Sequence, residues 1–156
     1  MMMSAEHMRA LPEFFCLIPD PRRAQGRRHR LPTVLAIAAG AILCGMRGYK
    51  AIAEWAHSLG PKALARFGCR RDDDGHYLVP SESIIRDCLV RVDPQALDHA
   101  LQQWNAAFGQ RDESLAIDGK TMCNAIDAHG QQTHVMSVVG HVSNICYTQK
   151  KSAPFP

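Results

Sequence analysis

Residues 31–46 read LPTVLAIAAGAILCGM, and this stretch decides how the first part of the chain folds. It contains no charged residue, and as a helix it would be apolar on nearly every side. Such a helix is either buried by its neighbours or embedded in a membrane, and a membrane span needs about 20 apolar residues. The stretch is shorter than that and contains Pro32 and Thr33. We therefore predict a buried helix inside a helical domain.

The sequence of 156 residues has the composition of an ordinary soluble protein. Hydrophobic residues make up 46% and charged residues 21%, which excludes a chain disordered throughout and a low-complexity fibre. The N-terminal residues contain no hydrophobic region of signal-peptide length, and the six cysteines form no CxxC pair. We therefore predict a cytoplasmic protein with reduced thiols and no membrane partner.

A cluster of arginines lies immediately before the apolar stretch. Residues 22–30 contain five guanidinium groups, with Gly26 and His29 among them: Arg22, Arg23, Arg27, Arg28 and Arg30. Guanidinium groups bind phosphate oxygens through paired hydrogen bonds, so a mobile loop of this composition suits the backbone of DNA. The alternatives are a solvated loop and a segment that pairs with acidic residues. The residues alone leave these interpretations open.

The charges are distributed unevenly along the chain. Residues 1–71 contain twelve Lys or Arg and four Asp or Glu, whereas residues 72–118 contain three and ten. Residues 119–156 contain three and one. The formal net charge of +3 therefore conceals a basic first part and an acidic middle.

Downstream of the apolar stretch, the spacing of apolar residues predicts four further helices. Their ranges are 49–59, 61–67, 81–92 and 94–108. The last has the strongest start signal, because Asp93 can accept hydrogen bonds from the first turn and Pro94 suits the first helical position. Trp55 and Trp104 lie on apolar stripes, where we expect core residues rather than platforms for bases. Residues 69–79 contain turn formers and predict a surface loop.

From residue 114 onward the pattern becomes that of β-strands, so we predict an α+β chain with its helices first. The strand-like runs are 115–118, 134–139 and 145–149, separated by Gly, Asn, Asp and Ser. In this interpretation Asp118 ends the first strand, where its carboxylate could hold a divalent cation. The dipeptide Asp118–Gly119 also favours a tight turn, and Lys120 could position a phosphate or simply be exposed. The residues alone do not decide between these alternatives.

Five stretches of the chain resemble, in the expected order, the N-terminal part of bacterial insertion-sequence transposases of the ISAs1 type. They are IPDPRRAQGRRHRLPTVLAIAAGAILCGMRGYKAIAEWA at 18–56, VPSESIIRDCLVRVDPQALDHALQQW at 79–104, AIDGKTM at 116–122, HVMSVVGH at 134–141 and CYTQKK at 146–151. Together they span most of the chain. This makes the resemblance far more specific than any single motif.

The resemblance implies two domains: a helical transposase-associated domain at 1–112, and the first strands of an incomplete ribonuclease-H-like DDE domain at 113–156. It implies that Asp118 is the first residue of an Asp, Asp, Glu triad and a ligand of Mg²⁺ or Mn²⁺. In such enzymes two divalent ions assist in-line attack on a phosphodiester during DNA cleavage and strand transfer.

The implied partner is DNA at the ends of an insertion sequence, and a homo-oligomer is a further expectation. The predicted DNA-binding residues are the five arginines of the cluster together with three lysines, Lys120, Lys150 and Lys151. The last two resemble lysines at a strand end in the family.

The triad is incomplete in this sequence. Asp127 is the only acid after Asp118, and we expect it in a loop between strands. The sequence also departs from the family pattern, with Cys123 in place of a basic residue and Ile85 in place of Thr. We therefore predict a truncated transposase that is inactive alone. Two other functions remain open: a non-enzymatic DNA-binding or regulatory remnant, and a helical protein-interaction module.

Overall fold

The computed structural model describes residues 5–108 and 112–152, apart from the side chains of residues 5–9, 123 and 124. Helices come first and strands follow, so the predicted α+β class is confirmed. The helices are α1 (Ala5–Phe15), α2 (Leu31–Leu43), α3 (Tyr49–Ser58), α4 (Pro61–Arg66), α5 (Glu82–Arg91) and α6 (Pro94–Phe108). None of the helices in the described ranges has the length and apolarity needed to cross a bilayer.

The chain divides into two compact units, one containing the residues up to Ala100 and one containing the residues from Leu101 onward. This division falls inside α6. The predicted domain boundary at residue 112 stays a prediction.

Helix α2 is the centre of the first unit, and α1, α3 and α5 pack against it or against each other. Most of its residues are buried, which confirms the prediction of a buried helix. The helix ends at Leu43 rather than at Met46 because Gly45 adopts a φ of +85°, a left-handed conformation that stops a helix. The backbone amide of Met46 then donates to the carbonyl oxygen of Ala41 at 2.9 Å.

The four further helices lie where they were predicted, within a few residues at their ends. The start of α6 follows the local signal, because the amides of Gln95 and Ala96 donate to the Asp93 carboxylate at 3.1 and 3.3 Å. Helix α1 was not predicted, and it contains Pro12. Its apolar residues Leu11 and Phe15 are buried, which shows that packing stabilises this helix against the poor local signal.

The three strands form one antiparallel sheet in the order β1 (Leu115–Ile126), β2 (Gln132–Gly140) and β3 (Cys146–Ser152). The strands lie where they were predicted, but β1 continues well beyond residue 118. Within the described residues β1 has a partner on one side only, and its side chains Leu115 and Ile117 are 57% and 70% exposed. The loop at 69–79 contains no helix or long strand, as predicted.

Candidate functional site

The arginine cluster folds around one buried residue, Arg22. Its side chain is 2% exposed, and its Nη2 lies 2.8 Å from Oδ2 of Asp20. Its Nε donates to Oδ1 of Asp20 at 2.9 Å, so the pair is bidentate. Nη1 donates to the carbonyl oxygen of Gly26 at 3.0 Å, and Nη2 donates to that of His29 at 2.7 Å. Arg22 therefore ties the beginning, middle and end of the loop together.

The surroundings of Asp20, Arg22 and His29 shift the pKa of each group. The hydrogen bond from Arg22 lowers the pKa of Asp20, and the same bond raises the pKa of Arg22. Both groups are therefore charged at pH 7. Burial lowers the pKa of His29, and the neighbouring cations Arg28 and Arg22 lower it further. His29 is therefore neutral at pH 7 and adds no positive charge to the loop.

The five arginines, predicted as one uniform set, occupy different environments. Arg22 is a structural residue, since its guanidinium is buried within the protein. Arg27 is half exposed, and its Nε and Nη2 donate to the carbonyl oxygens of Arg22 and Asp20 at 3.0 and 3.1 Å. The three remaining arginines are exposed, and no ion pair between described residues includes them: Arg23, Arg28 and Arg30.

Two open clefts beside the loop include cations that lie far from it in the sequence. The first has a volume of about 380 Å³, and Arg91 of α5 lines it together with Arg22 and Arg23. The second has a volume of about 240 Å³, and Arg66 of α4 lines it together with Arg30. Arg66 and Arg91 were not predicted, because single cations on helices are ordinarily solvated. Only the folded arrangement associates them with the cluster.

Asp118 lies within β1, where it pairs with Ser137 of β2, and its side chain is exposed. The prediction that Asp118 ends a strand is therefore wrong. The alternative of an Asp–Gly turn is wrong as well, because Gly119 is itself paired with Met136 in the ladder. Continuous pairing with β2 overrides the local turn preference of the dipeptide and holds Asp118 in a regular strand.

The strand register determines which predicted residues share a face with Asp118. Side chains alternate between the two faces of a sheet, so Lys120 lies on the same face as Asp118. Lys120 of β1 and Lys151 of β3 are both in register with Val135 of β2. Lys151 therefore lies on this face too, whereas Lys150 lies on the opposite one. The sheet brings together two of the three predicted lysines.

The sheet contains too few acids for a pair of metal ions. Asp118 carries the only carboxylate in the three strands. Two Mg²⁺ ions about 4 Å apart require several carboxylate ligands. Asp127 lies in the turn between β1 and β2, where its Oδ1 accepts hydrogen bonds from the amides of His129 and Gln131 at 2.9 and 3.0 Å. The sheet residues therefore do not fit such a centre by themselves.

One group of possible metal ligands, two aspartates and a histidine, lies close together in the described part of the chain. The ligand atoms of Asp72, Asp74 and His76 lie within 4.8 Å of one another. Oδ1 of Asp72 accepts hydrogen bonds from the backbone amides of Asp74 and His76 at 3.1 and 2.8 Å. These contacts form the turn that an aspartate commonly stabilises. The turn geometry accounts for the cluster without an ion.

Comparison with known proteins identifies the helical region. Residues 12–105 match the family described as DDE_Tnp_1-associated. A curated protein from Xanthobacter autotrophicus, described as "Uncharacterized protein in dhlA 3'region", is 33% identical over 120 residues. Those residues are 70% of this chain and 36% of that protein, so the chain spans about a third of the length of this relative. No solved structure matches the chain. Because the family match covers more than half of the sequence, the chain belongs to the DDE_Tnp_1-associated family, whose members are regions associated with DDE-type transposases.

Proposed function

We propose that this chain is the N-terminal portion of an ISAs1-type insertion-sequence transposase. The observation that carries the proposal is the order of its parts. The family-matched helices at residues 12–105 are followed directly by an antiparallel sheet whose first strand displays Asp118. This order agrees with a helical domain at 1–112 and the beginning of a ribonuclease-H-like domain at 113–156.

In this proposal the helical unit binds DNA through phosphates, in the cytoplasm, and the intact transposase acts as an oligomer on the ends of its element. The DNA contact is supported by three exposed arginines: Arg23, Arg28 and Arg30. Their guanidinium groups can donate hydrogen bonds to phosphate oxygens without first breaking an internal ion pair. In the sheet unit, Lys120 and Lys151 supply cations on one face of the sheet and Lys150 supplies one on the other. Nζ of Lys151 also lies 3.8 Å from Oδ2 of Asp127.

Asp118 supplies the first carboxylate of the proposed catalytic triad. Mg²⁺ or Mn²⁺, when held by a full triad, would stabilise the charge that develops on the attacking and leaving oxygens of a phosphodiester. This chain contributes one rigid ligand on a strand. We propose that the second Asp and the Glu are not among its 156 residues, since the strands offer no further acid.

The salt dependence of DNA binding should come largely from the three exposed arginines of the loop. Substituting Arg23, Arg28 and Arg30 by Ala should weaken binding to duplexes of any sequence. It should also make the slope of log affinity against log salt shallower by about 2 to 3, because each phosphate contact contributes about 0.9. Fluorescence anisotropy with a labelled random-sequence duplex at several salt concentrations measures both quantities.

A matched control removes three exposed cations from other segments of the same helical unit: Arg47, Lys50 and Lys62, each to Ala. This variant has the same net charge as the loop variant. If both variants lost the same affinity and slope, binding would depend on overall charge, and the loop would not be the DNA contact. Absence of binding by the unmodified chain would favour the helical protein-interaction module instead.

The single carboxylate in the strands favours one second candidate, a DNA-binding protein without catalytic activity of its own. We expect the 156-residue chain neither to nick nor to join plasmid DNA in Mg²⁺ or Mn²⁺, because one carboxylate leaves each ion almost fully hydrated. Asp118→Ala should therefore leave a plasmid-nicking assay unchanged. Metal-dependent nicking that disappears in Asp118→Ala would instead mean that a complete site exists, for example one assembled between two chains.

A further inference from the structure

An open cleft separates the arginine loop from the last turn of α5. The loop contributes Arg23, Gln25 and Gly26, with the buried Arg22 behind them, and α5 contributes Asp87 and Arg91. The cleft has a volume of about 380 Å³. Its two sides come from segments that are far apart in the sequence, so its cations meet only in the folded unit.

The cleft has a small net positive charge: three guanidinium groups and one carboxylate line it, and the charge of one guanidinium, that of Arg22, is neutralised from outside the cleft. The charge of Arg22 is balanced outside the cleft by Asp20, and this pair fixes the loop side. On the helix side, Nε of Arg91 lies 2.6 Å from Oδ1 of Asp87, one helical turn away. This ion pair orients the Arg91 guanidinium, whose side chain remains 54% exposed. Asp87 thus acts on Arg91 as a positioning residue.

The shape and lining of the cleft favour a backbone phosphate over a small organic ligand. Sites for small molecules are enclosed and mostly apolar, with a few polar groups. This cleft is open to solvent, and most of the residues that line it are charged or polar. The exposed Arg28 on the same loop provides a further cation beyond the cleft. A DNA backbone that continues past the cleft can therefore place one phosphate in the cleft and another against Arg28.

We propose that this cleft receives one phosphate of the DNA backbone between Arg23 of the loop and Arg91 of α5. The inference rests on the proposed DNA binding and extends it to a residue outside the arginine cluster. Guanidinium groups suit this task, because their planar N–H groups bind two phosphate oxygens at once. Arg91 then makes a phosphate contact that the arginine loop cannot make alone.

The test compares Arg91→Gln with Arg86→Gln in the full chain. Both substitutions remove one charge from an exposed position of α5, and Gln preserves helix formation. The two positions lie about 140° apart around the helix, and Arg86 does not line the cleft. Gln at position 91 can still donate a hydrogen bond to Asp87, so folding is expected to persist, and thermal unfolding of both variants checks this.

We expect Arg91→Gln to weaken binding to a random-sequence duplex by about fivefold to tenfold, the size expected for one lost hydrogen bond at a solvent-exposed position. Its salt slope should become shallower by about 0.9, whereas Arg86→Gln should change the slope little. Equal effects of the two variants would overturn the cleft proposal while leaving DNA binding intact. If the unmodified chain did not bind DNA at all, the proposed function would fail, and the cleft proposal would fail with it.

Discussion

Asp20→Asn is expected to weaken DNA binding by about tenfold, although it removes a negative charge from the protein. Simple electrostatics predicts the opposite, because a more positive protein should attract DNA more strongly. The structure gives the reason for the reversal. Asp20 accepts three hydrogen bonds from Arg22, two from the buried guanidinium and one from the backbone amide. Arg22 in turn donates to the carbonyl oxygens of Gly26 and His29. Asn keeps one acceptor oxygen but has no charge, and its NH2 group faces Nη2 of Arg22 where Oδ2 accepted a hydrogen bond, so the contact that fixes the loop is weakened.

The substitution should also destabilise the helical unit. Arg22 and Asp20 have side chains that are 2% and 18% exposed, so the variant would leave a buried guanidinium without its counter-charge. Breaking one partner of such a pair typically costs about 3 kcal/mol. Chemical denaturation monitored by circular dichroism measures this change. Anisotropy titrations below the denaturation range measure the affinity of the folded variant.

Asp73→Asn is the matched control for Asp20→Asn. Asp73 is an exposed acid in the 69–79 loop, and its substitution raises the net charge by the same amount. It should leave stability unchanged and leave DNA affinity unchanged or slightly higher. If Asp20→Asn bound DNA as tightly as Asp73→Asn, the folded loop would not be needed for binding, and the arginines would act as an unstructured polycation.

The sequence could predict those features that depend on neighbouring residues. Helix α6 starts at Asp93 and Pro94 through local hydrogen bonding and backbone geometry. Both effects can be predicted from these two residues without knowledge of the fold. The buried α2 was also predictable, because a helix that is apolar on all sides can be stable only in a core. The end of α2 was misplaced by a few residues, since either of two nearby glycines could have stopped it.

The site was only partly predictable, because its organisation depends on burial and on distant residues. Arg22 and Arg23 are adjacent and chemically identical, yet one is buried and the other is exposed. The one available signal was Asp20, two residues before Arg22, which suggests an internal ion pair. Nothing local associates Arg91 with the loop. Likewise, the pairing of β1 with β2 places Asp118 inside a strand, and such pairing is not visible in the Asp–Gly dipeptide.

Gly140→Ala is expected to disrupt the turn between β2 and β3. Gly140 is buried at the end of β2, and a Cβ atom added there would lie 2.6 Å from both Cγ of Asp112 and Oγ of Ser143. The Asp112 carboxylate cannot easily move aside. It accepts hydrogen bonds from the backbone amides of Val142 and Ser143 at 2.9 Å, and also from the Ser143 hydroxyl and from Tyr147. The hydrogen bonds from Ser143 hold the pKa of Asp112 at about 2.

The added methyl group should therefore destabilise the sheet unit by about 2 kcal/mol, a typical penalty for overpacking a tight site. In hydrogen-exchange measurements, protection should decrease first at the amides of Val142 and Ser143, which donate to Asp112. Gly60→Ala is the control, because Gly60 has a φ of −71° and no atom within 4 Å of an added Cβ. In the double variant with Asp112→Ala, the two effects should be less than additive, since removing the carboxylate also removes the clash. Full additivity, or unchanged protection in Gly140→Ala, would show that Asp112 does not restrain this turn.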